Sequence, residues 1–165
     1  GERFRGGKGD FYEGGIRTPF IVRWPGKIKA GSVSDHLGYF PDVMPTIAEI
    51  TGAIPRKDSD GISIVPTLLG AEKAGRKQEQ HEYLYWESKK SIALRMNNWK
   101  AIKPSNKAPF ELYDLSKDIE ELHDVAAQYP EIIEKIKKYA KQAHTPVRLG
   151  KVLDASLGFK GHNKN

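Results

Sequence analysis

Cysteine is absent from all 165 residues of the chain. That excludes a disulfide scaffold, a thiolate zinc site and a cysteine nucleophile within it. It says little about compartment, because proteins on both sides of a membrane can lack cysteine. Long hydrophobic runs are absent too. No apolar stretch approaches the ~20 residues that a spanning helix needs, so no membrane segment is expected. No charged-then-apolar leader opens the chain, and none is expected within it. There is no internal repeat and no low-complexity segment. Acidic residues are the minority: 21 Asp+Glu against 27 Lys+Arg, a formal net charge of +6.

What is present suits a folded body. Hydrophobic residues make up 38% and there are 16 glycines. Together they fall in the ordinary globular range, which excludes a disordered tail. The length fits one domain, or one with a small second piece. It is enough to bury a core without metals or disulfides. Both ends read as cut: Gly1 stands where a Met would, and Gly158 to Asn165 is short, polar and expected to be loose.

Residues 1–18 are rich in glycine and carry no hydrophobic period, which predicts a loop. Pro19 to Gly26 holds a short apolar run closed by Pro-Gly, which predicts a strand near 20–24. A second brush with a sheet is expected near Ser32 to Leu37. Asp42 to Thr51 reads as a helix, with Asp42 as N-cap, Pro45 in the first turn and Gly52 as the stop. Val43, Met44, Ile47 and Ile50 form its apolar face. Pro66 to Leu69 fits one helical turn. Ala71 to Gln80 has little to bury and should be exposed.

The character changes near residue 82. Tyr83 to Trp86, Ser91 to Met96, Trp99 to Lys103 and Phe110 to Leu115 are four β-prone runs with short connections. Asn97-Asn98 is a two-residue hairpin signal. Short connections predict an antiparallel meander. In the third run Lys100 and Ile102 alternate with Trp99, Ala101 and Lys103, so both faces carry apolar groups. The helix expected over Pro130 to Ala143 has the stripe Ile132, Ile133, Ile136, Tyr139, Ala140 and Ala143 to cover one sheet face. Its acids come early and its lysines late, as the helix dipole favours.

Few residues announce chemistry. The glycine-rich opening could bring backbone and Lys8 to an anion, but it matches neither a Walker loop nor a dinucleotide fingerprint. A flexible loop with a surface lysine is the plainer reading. His36, His81, His123, His144 and His162 show no zinc spacing, and surface or packing roles are expected. Asp114, Asp118, Glu120, Glu121 and Asp124 read as a solvated acidic cluster. Lys135, Lys137, Lys138, Lys141, Arg148 and Lys151 form a basic flank without an acid among them. A solvated helix face is expected there, with polyanion binding as the alternative. No signature of nucleic-acid binding accompanies it.

From residue 6 to 26 the sequence resembles the formylglycine-dependent sulfatases of the alkaline-phosphatase-like superfamily. Gly6-Gly7-Lys8, Tyr12-Glu13-Gly14-Gly15-Ile16-Arg17 and Pro19 to Gly26 are similar to that family's second signature. The likeness continues in order, through Gly31 to Asp35, Asp42-Val43-Met44-Pro45-Thr46 and Asp60-Gly61-Ile62-Ser63. It reaches the C-terminal sheet at Arg95, Asn98-Trp99-Lys100 and Glu111 to Leu115, and a tail element at His144-Thr145-Pro146.

The resemblance implies a hydrolase of sulfate esters. In the family a Cys or Ser in a C/S-x-P-S-R motif becomes formylglycine, calcium polarises the sulfate, and a lysine matching Lys8 contacts it. This sequence has no such motif and none of the paired aspartates of the metal site. The expectation is therefore an inactive C-terminal portion: calcium ligands and nucleophile elsewhere, no catalytic or metal-binding residue here, and Lys8 as the one sulfate contact. Without partner residues, Lys8 is expected to be mobile. Glu13 and Arg17 are expected to fix the loop against the sheet by hydrogen bonds.

The fold class implied is α+β. The C-terminal edge of an alkaline-phosphatase-like α/β domain is expected over residues 1–80, a four-stranded antiparallel sheet packed on a helix over 81–147, and a tail over 148–165. Other expectations are a sulfate-ester substrate, no nucleic acid, no membrane, self-association of the portion through the strand near 20–24, and a periplasmic or secreted location. A phosphate-ester hydrolase of the same superfamily and a non-catalytic polyanion-binding domain stay open as alternatives.

Overall fold

The computed structural model describes residues 4–88 and 91–145. The tail expected over 148–165, with Pro146, Arg148, Lys151 and His162, lies outside the described residues.

The architecture is α+β. Four strands, β1 Leu84–Glu87, β2 Ile92–Met96, β3 Trp99–Lys103 and β4 Glu111–Asp114, form one antiparallel meander in sequence order. This is the expected sheet: β3 has the expected bounds, β1 is shifted by one residue toward the C-terminus, β2 starts one residue later, and β4 is one residue shorter at each end. Met96 pairs with Trp99 across the two-residue turn. Asn97 takes φ 52° there, a left-handed conformation that asparagine tolerates.

Among the described residues five α-helices accompany the sheet: α1 Glu13–Ile16, α2 Val43–Thr51, α3 Val65–Leu69, α4 Ala71–Ala74 and α5 Pro130–Ala143. The short α1 and α4 escape the sequence reading, since neither has length for a hydrophobic period. No described helix is long and apolar enough to cross a membrane.

Side chains alternate across the sheet and both faces are covered. Leu94, Ala101 and Leu112 are direct cross-strand neighbours. They meet Ile136 and Tyr139 of α5 in one core cluster. Tyr83 stacks on Tyr139 with ring centroids 4.5 Å apart, and the Tyr139 hydroxyl donates to Glu82. On the other face Ala93, Ile102, Tyr113 and Leu115 form a second cluster. Phe11 and Tyr12 of the glycine-rich opening pack against that cluster. The opening is thus the second cover of the sheet.

Residues 17–39 depart from expectation. No strand forms near 20–24 or near 32–37. A strand needs a hydrogen-bonding neighbour, and none of the described residues supplies one. Phe20 is 64% exposed and Ile21 89%. The expected apolar face of α2 is likewise uncovered, with Met44, Ile47 and Ile50 exposed. What α2 buries is its other side, Thr46 and the preceding Asp42. Met44, Ile47 and Ile50 follow one another at helical spacing, and an exposed apolar stripe of that kind is the mark of an interface.

Candidate functional site

Lys8 stands at the tip of a tight turn. Gly7 accepts the amide of Asp10 at 2.9 Å, and the Asp10 carboxylate accepts the amide of Gly7 at 2.9 Å. Gly9 follows Lys8 with φ 96°. A positive φ at the third residue is what a type II turn demands, and glycine supplies it without strain. The Lys8 side chain is exposed, and no described residue pairs with it. The backbone of the turn is closed by two hydrogen bonds, while the Lys8 side chain, expected to be mobile, is exposed.

Behind the turn the chain doubles back through α1. Gly14 donates to the Arg5 carbonyl at 2.8 Å. A Cβ on Gly15 would sit 2.2 Å from the Asp10 carbonyl oxygen and 2.6 Å from that of Gly7. Only glycine lets these backbones approach so closely. The two ends of the Lys8 turn therefore rest directly on α1.

Charged groups fasten α1 to the sheet. Glu13 and Glu121 are buried, and Lys100 is fully buried on β3. Lys100 Nζ donates to Glu13 Oε1 at 2.8 Å and lies 3.6 Å from Glu121 Oε1. The Glu13 amide donates to Glu121 Oε2 at 2.7 Å. Arg95 on β2 and Arg17 each reach Glu13 Oε2 at 3.4 Å. Arg5 donates to the Glu121 carbonyl and to the Tyr113 hydroxyl, both at 2.8 Å. Its guanidinium lies 4.0 Å from the Tyr12 ring centroid, a cation–π contact. The Tyr12 and Tyr113 hydroxyls both donate to Glu111 Oε2 at 2.7 Å. Burial and the Glu111 carboxylate push Tyr12 up to about 12.

Glu13 makes the expected bonds to the sheet, through Lys100 and Arg95; Arg17 reaches Glu13, within the opening itself, and not the sheet. Lys100 and Glu121 carry more than the sequence reading assigned them. Glu121 in particular is not part of a solvated cluster: it is fully buried. The available signal was Lys100 on a strand with two apolar faces, which puts its side chain under a cover. Nothing local marked Glu121, whose partner is Glu13, 108 residues away.

Burial raises the Glu121 carboxyl above the ordinary glutamate value of 4.5; the Glu13 amide and the Lys100 charge offset only part of that. An acid with a raised folded pKa contributes stability that is complete below its unfolded value and lost as pH rises through the folded one. Glu121→Gln keeps an acceptor for the Glu13 amide and removes the charge. Its stability relative to the parent should grow as pH rises above 4.5. Urea unfolding across a pH series reads this directly. A difference constant with pH would refute the assignment.

A second polar cluster organises the α2 region. Asp42 occupies the expected N-cap position of α2, yet its side chain makes no cap bond. Its carboxylate accepts the amides of Tyr39 at 2.9 Å and Ile62 at 2.8 Å and meets His81 Nε2 at 2.8 Å. Thr46 Oγ1 donates to the Asp42 carbonyl and accepts the Ile64 amide at 3.0 Å. His81 is thus a packed partner, as expected of the histidines. Among the described residues no three His, Asp or Glu side chains gather as a metal site. The chemistry available to the described residues is a presented cation on a braced turn.

Comparisons with known proteins supply the family. The family model for N-sulphoglucosamine sulphohydrolase, C-terminal, matches residues 4–145. The chain belongs to the sulfatases. It is 30% identical to an N-acetylgalactosamine-6-O-sulfatase of Bacteroides thetaiotaomicron, over 86% of this chain and 30% of that protein. It is 34% identical to human arylsulfatase A, over 81% of this chain and 32% of that protein. A solved structure from work on glycosaminoglycan metabolism in Bacteroides thetaiotaomicron superposes with a TM-score of 0.68 at 29% identity. The match covers 84% of this chain and 31% of that one. This sulfatase chain therefore spans about a third of the length of the relatives it matches.

Proposed function

We propose that this chain is the C-terminal part of an enzyme that hydrolyses sulfate esters, with Lys8 as its contact to the sulfate group. The observation that carries the reading is Lys8 itself: an exposed, unpaired ammonium at the tip of a braced turn, within a stretch similar to the family signature. A cation held where negative charge develops stabilises the transition state most when water is excluded. The exposed apolar residues Phe20, Ile21, Met44 and Ile47 are where the rest of the enzyme would pack. In its absence the same surface would pair two copies of the chain.

Formylglycine and calcium belong, in this reading, to the upstream part. The described residues offer no cage for a metal. The residues here bind and orient. Cleavage of the S–O bond falls to the nucleophile, so the 165-residue chain alone should be inactive. The reading also puts the enzyme in the periplasm or outside the cell.

The test is turnover of 4-nitrophenyl sulfate. The isolated chain should release no nitrophenolate. In the complete enzyme Lys8→Ala should lower kcat/KM by about 10²-fold, the scale of one lost charge-stabilising donor. Activity of the chain alone, abolished by Lys8→Ala, would overturn the inactivity. An unchanged kcat/KM in the complete variant would remove Lys8 from the site.

A further inference from the structure

We infer that Glu13, Lys100, Glu121, Arg5 and Arg95 are positioning residues that aim Lys8, so that the C-terminal sheet acts in the reaction through the turn it holds. The inference rests on the sulfate-contacting role proposed for Lys8. Four observations support it.

Stability gives a poor reason for the cluster. Burying three charges costs desolvation that their attraction barely repays, and apolar residues of similar volume would often serve as well. What charges add is direction. Each bond here needs one register of the opening against the sheet: Glu13 Oε1 over Lys100, the Glu13 amide on Glu121 Oε2, and Arg5 on the Glu121 carbonyl. A shift of one residue would break all three and leave buried charges unpaired.

Glu121 is also held in a conformation that few side chains adopt. Its φ is 55°, in the left-handed region, where a non-glycine residue persists only when its surroundings over-determine it. The surroundings are the opening itself: the carbonyl of Glu121 takes Arg5 and its carboxylate takes the Glu13 amide.

The link from cluster to turn is short and stiff. Glu13 begins α1, and Gly15 on α1 rests against the carbonyls of Gly7 and Asp10, which flank the Lys8 turn. No flexible spacer intervenes. Lys8, by contrast, spends its own side chain on no described neighbour. The elements behind it are tied down while the cation is left to act.

The experiment combines exchange and kinetics. Glu13→Gln is nearly isosteric and keeps an acceptor for Lys100. Arg5→Met alters an exposed residue and serves if the first variant folds poorly. In the 165-residue chain either change should speed hydrogen exchange of the amides of residues 14–17 by about tenfold or more, leaving those of residues 92–103 in place. In the complete enzyme each should lower kcat for 4-nitrophenyl sulfate by about tenfold, and should add almost nothing on a Lys8→Ala background, because both act through one group. Unchanged exchange at 14–17, unchanged kcat, or full additivity with Lys8→Ala would each overturn the inference. If Lys8→Ala alone leaves turnover intact, it is the sulfate-contact reading that has failed.

Discussion

Lys100→Met should lower the unfolding free energy of the chain by about 3–5 kcal/mol, the usual result of removing one partner from a buried ion cluster. Glu13 and Glu121 would remain on the fully buried side of the sheet, both acidic, with Arg95 and Arg17, each 3.4 Å from Glu13, as compensating charges. Glu121 Oε1 already lacks a hydrogen-bond partner and has only the Lys100 charge, 3.6 Å away. A domain of this size is stable by ~5–15 kcal/mol, so the loss is a large fraction of the total. The triple change Lys100→Met, Glu13→Gln and Glu121→Gln should recover most of it, because replacing the whole cluster removes the uncompensated charge. Urea unfolding of the three proteins separates the outcomes. A single variant within about 1 kcal/mol of the parent would show that the carboxylates find water or protons without Lys100.

The second large effect is expected at Asp42. Asp42→Ala should cost about 3–5 kcal/mol, since each buried donor left without its acceptor costs ~1–3 kcal/mol. Three groups lose their partner at once: the amides of Tyr39 and Ile62, and His81 Nε2. The damage should be local first. Gly61 sits where a Cβ would fall 2.0 Å from the Pro41 carbonyl oxygen, so the chain at 61–62 has no nearby position to relax into. Exchange of the Ile62 and Ile64 amides should rise before the sheet opens. Asp42→Asn, which keeps one acceptor oxygen, should fall between parent and alanine. A thermal midpoint unmoved by Asp42→Ala would mean that water replaces the carboxylate and that the site is wetter than its 2% exposure implies.

Both predictions concern residues whose type was plain in the sequence and whose role was not. Asp42 was legible as the head of a helix, because capping is a local rule. Its work is long-range: the Ile62 amide and His81 come from 20 and 39 residues away. Glu121 looked solvated because its neighbours in sequence are acidic, and sequence neighbours decide composition, not burial. The strand expected near 20–24 failed for a related reason. Its apolar run satisfies the pattern of a buried strand, but a pattern cannot supply the neighbouring backbone that a strand must bond to.

By itself the sequence determined what depends on short separations. The meander follows from four β-prone runs and short turns, and α5 from a 3.6-residue period with ordered charge. The family signature lies in contiguous residues, and so does the lysine it presents. Tertiary structure alone decided which side of α2 is buried, that the glycine-rich opening is the second cover of the sheet, and that Lys100 lies between two glutamates. The physical reason is common to all three. Burial and pairing depend on contacts between segments some 20 to 110 residues apart, and the cost of an unpaired charge or amide appears only once those segments meet.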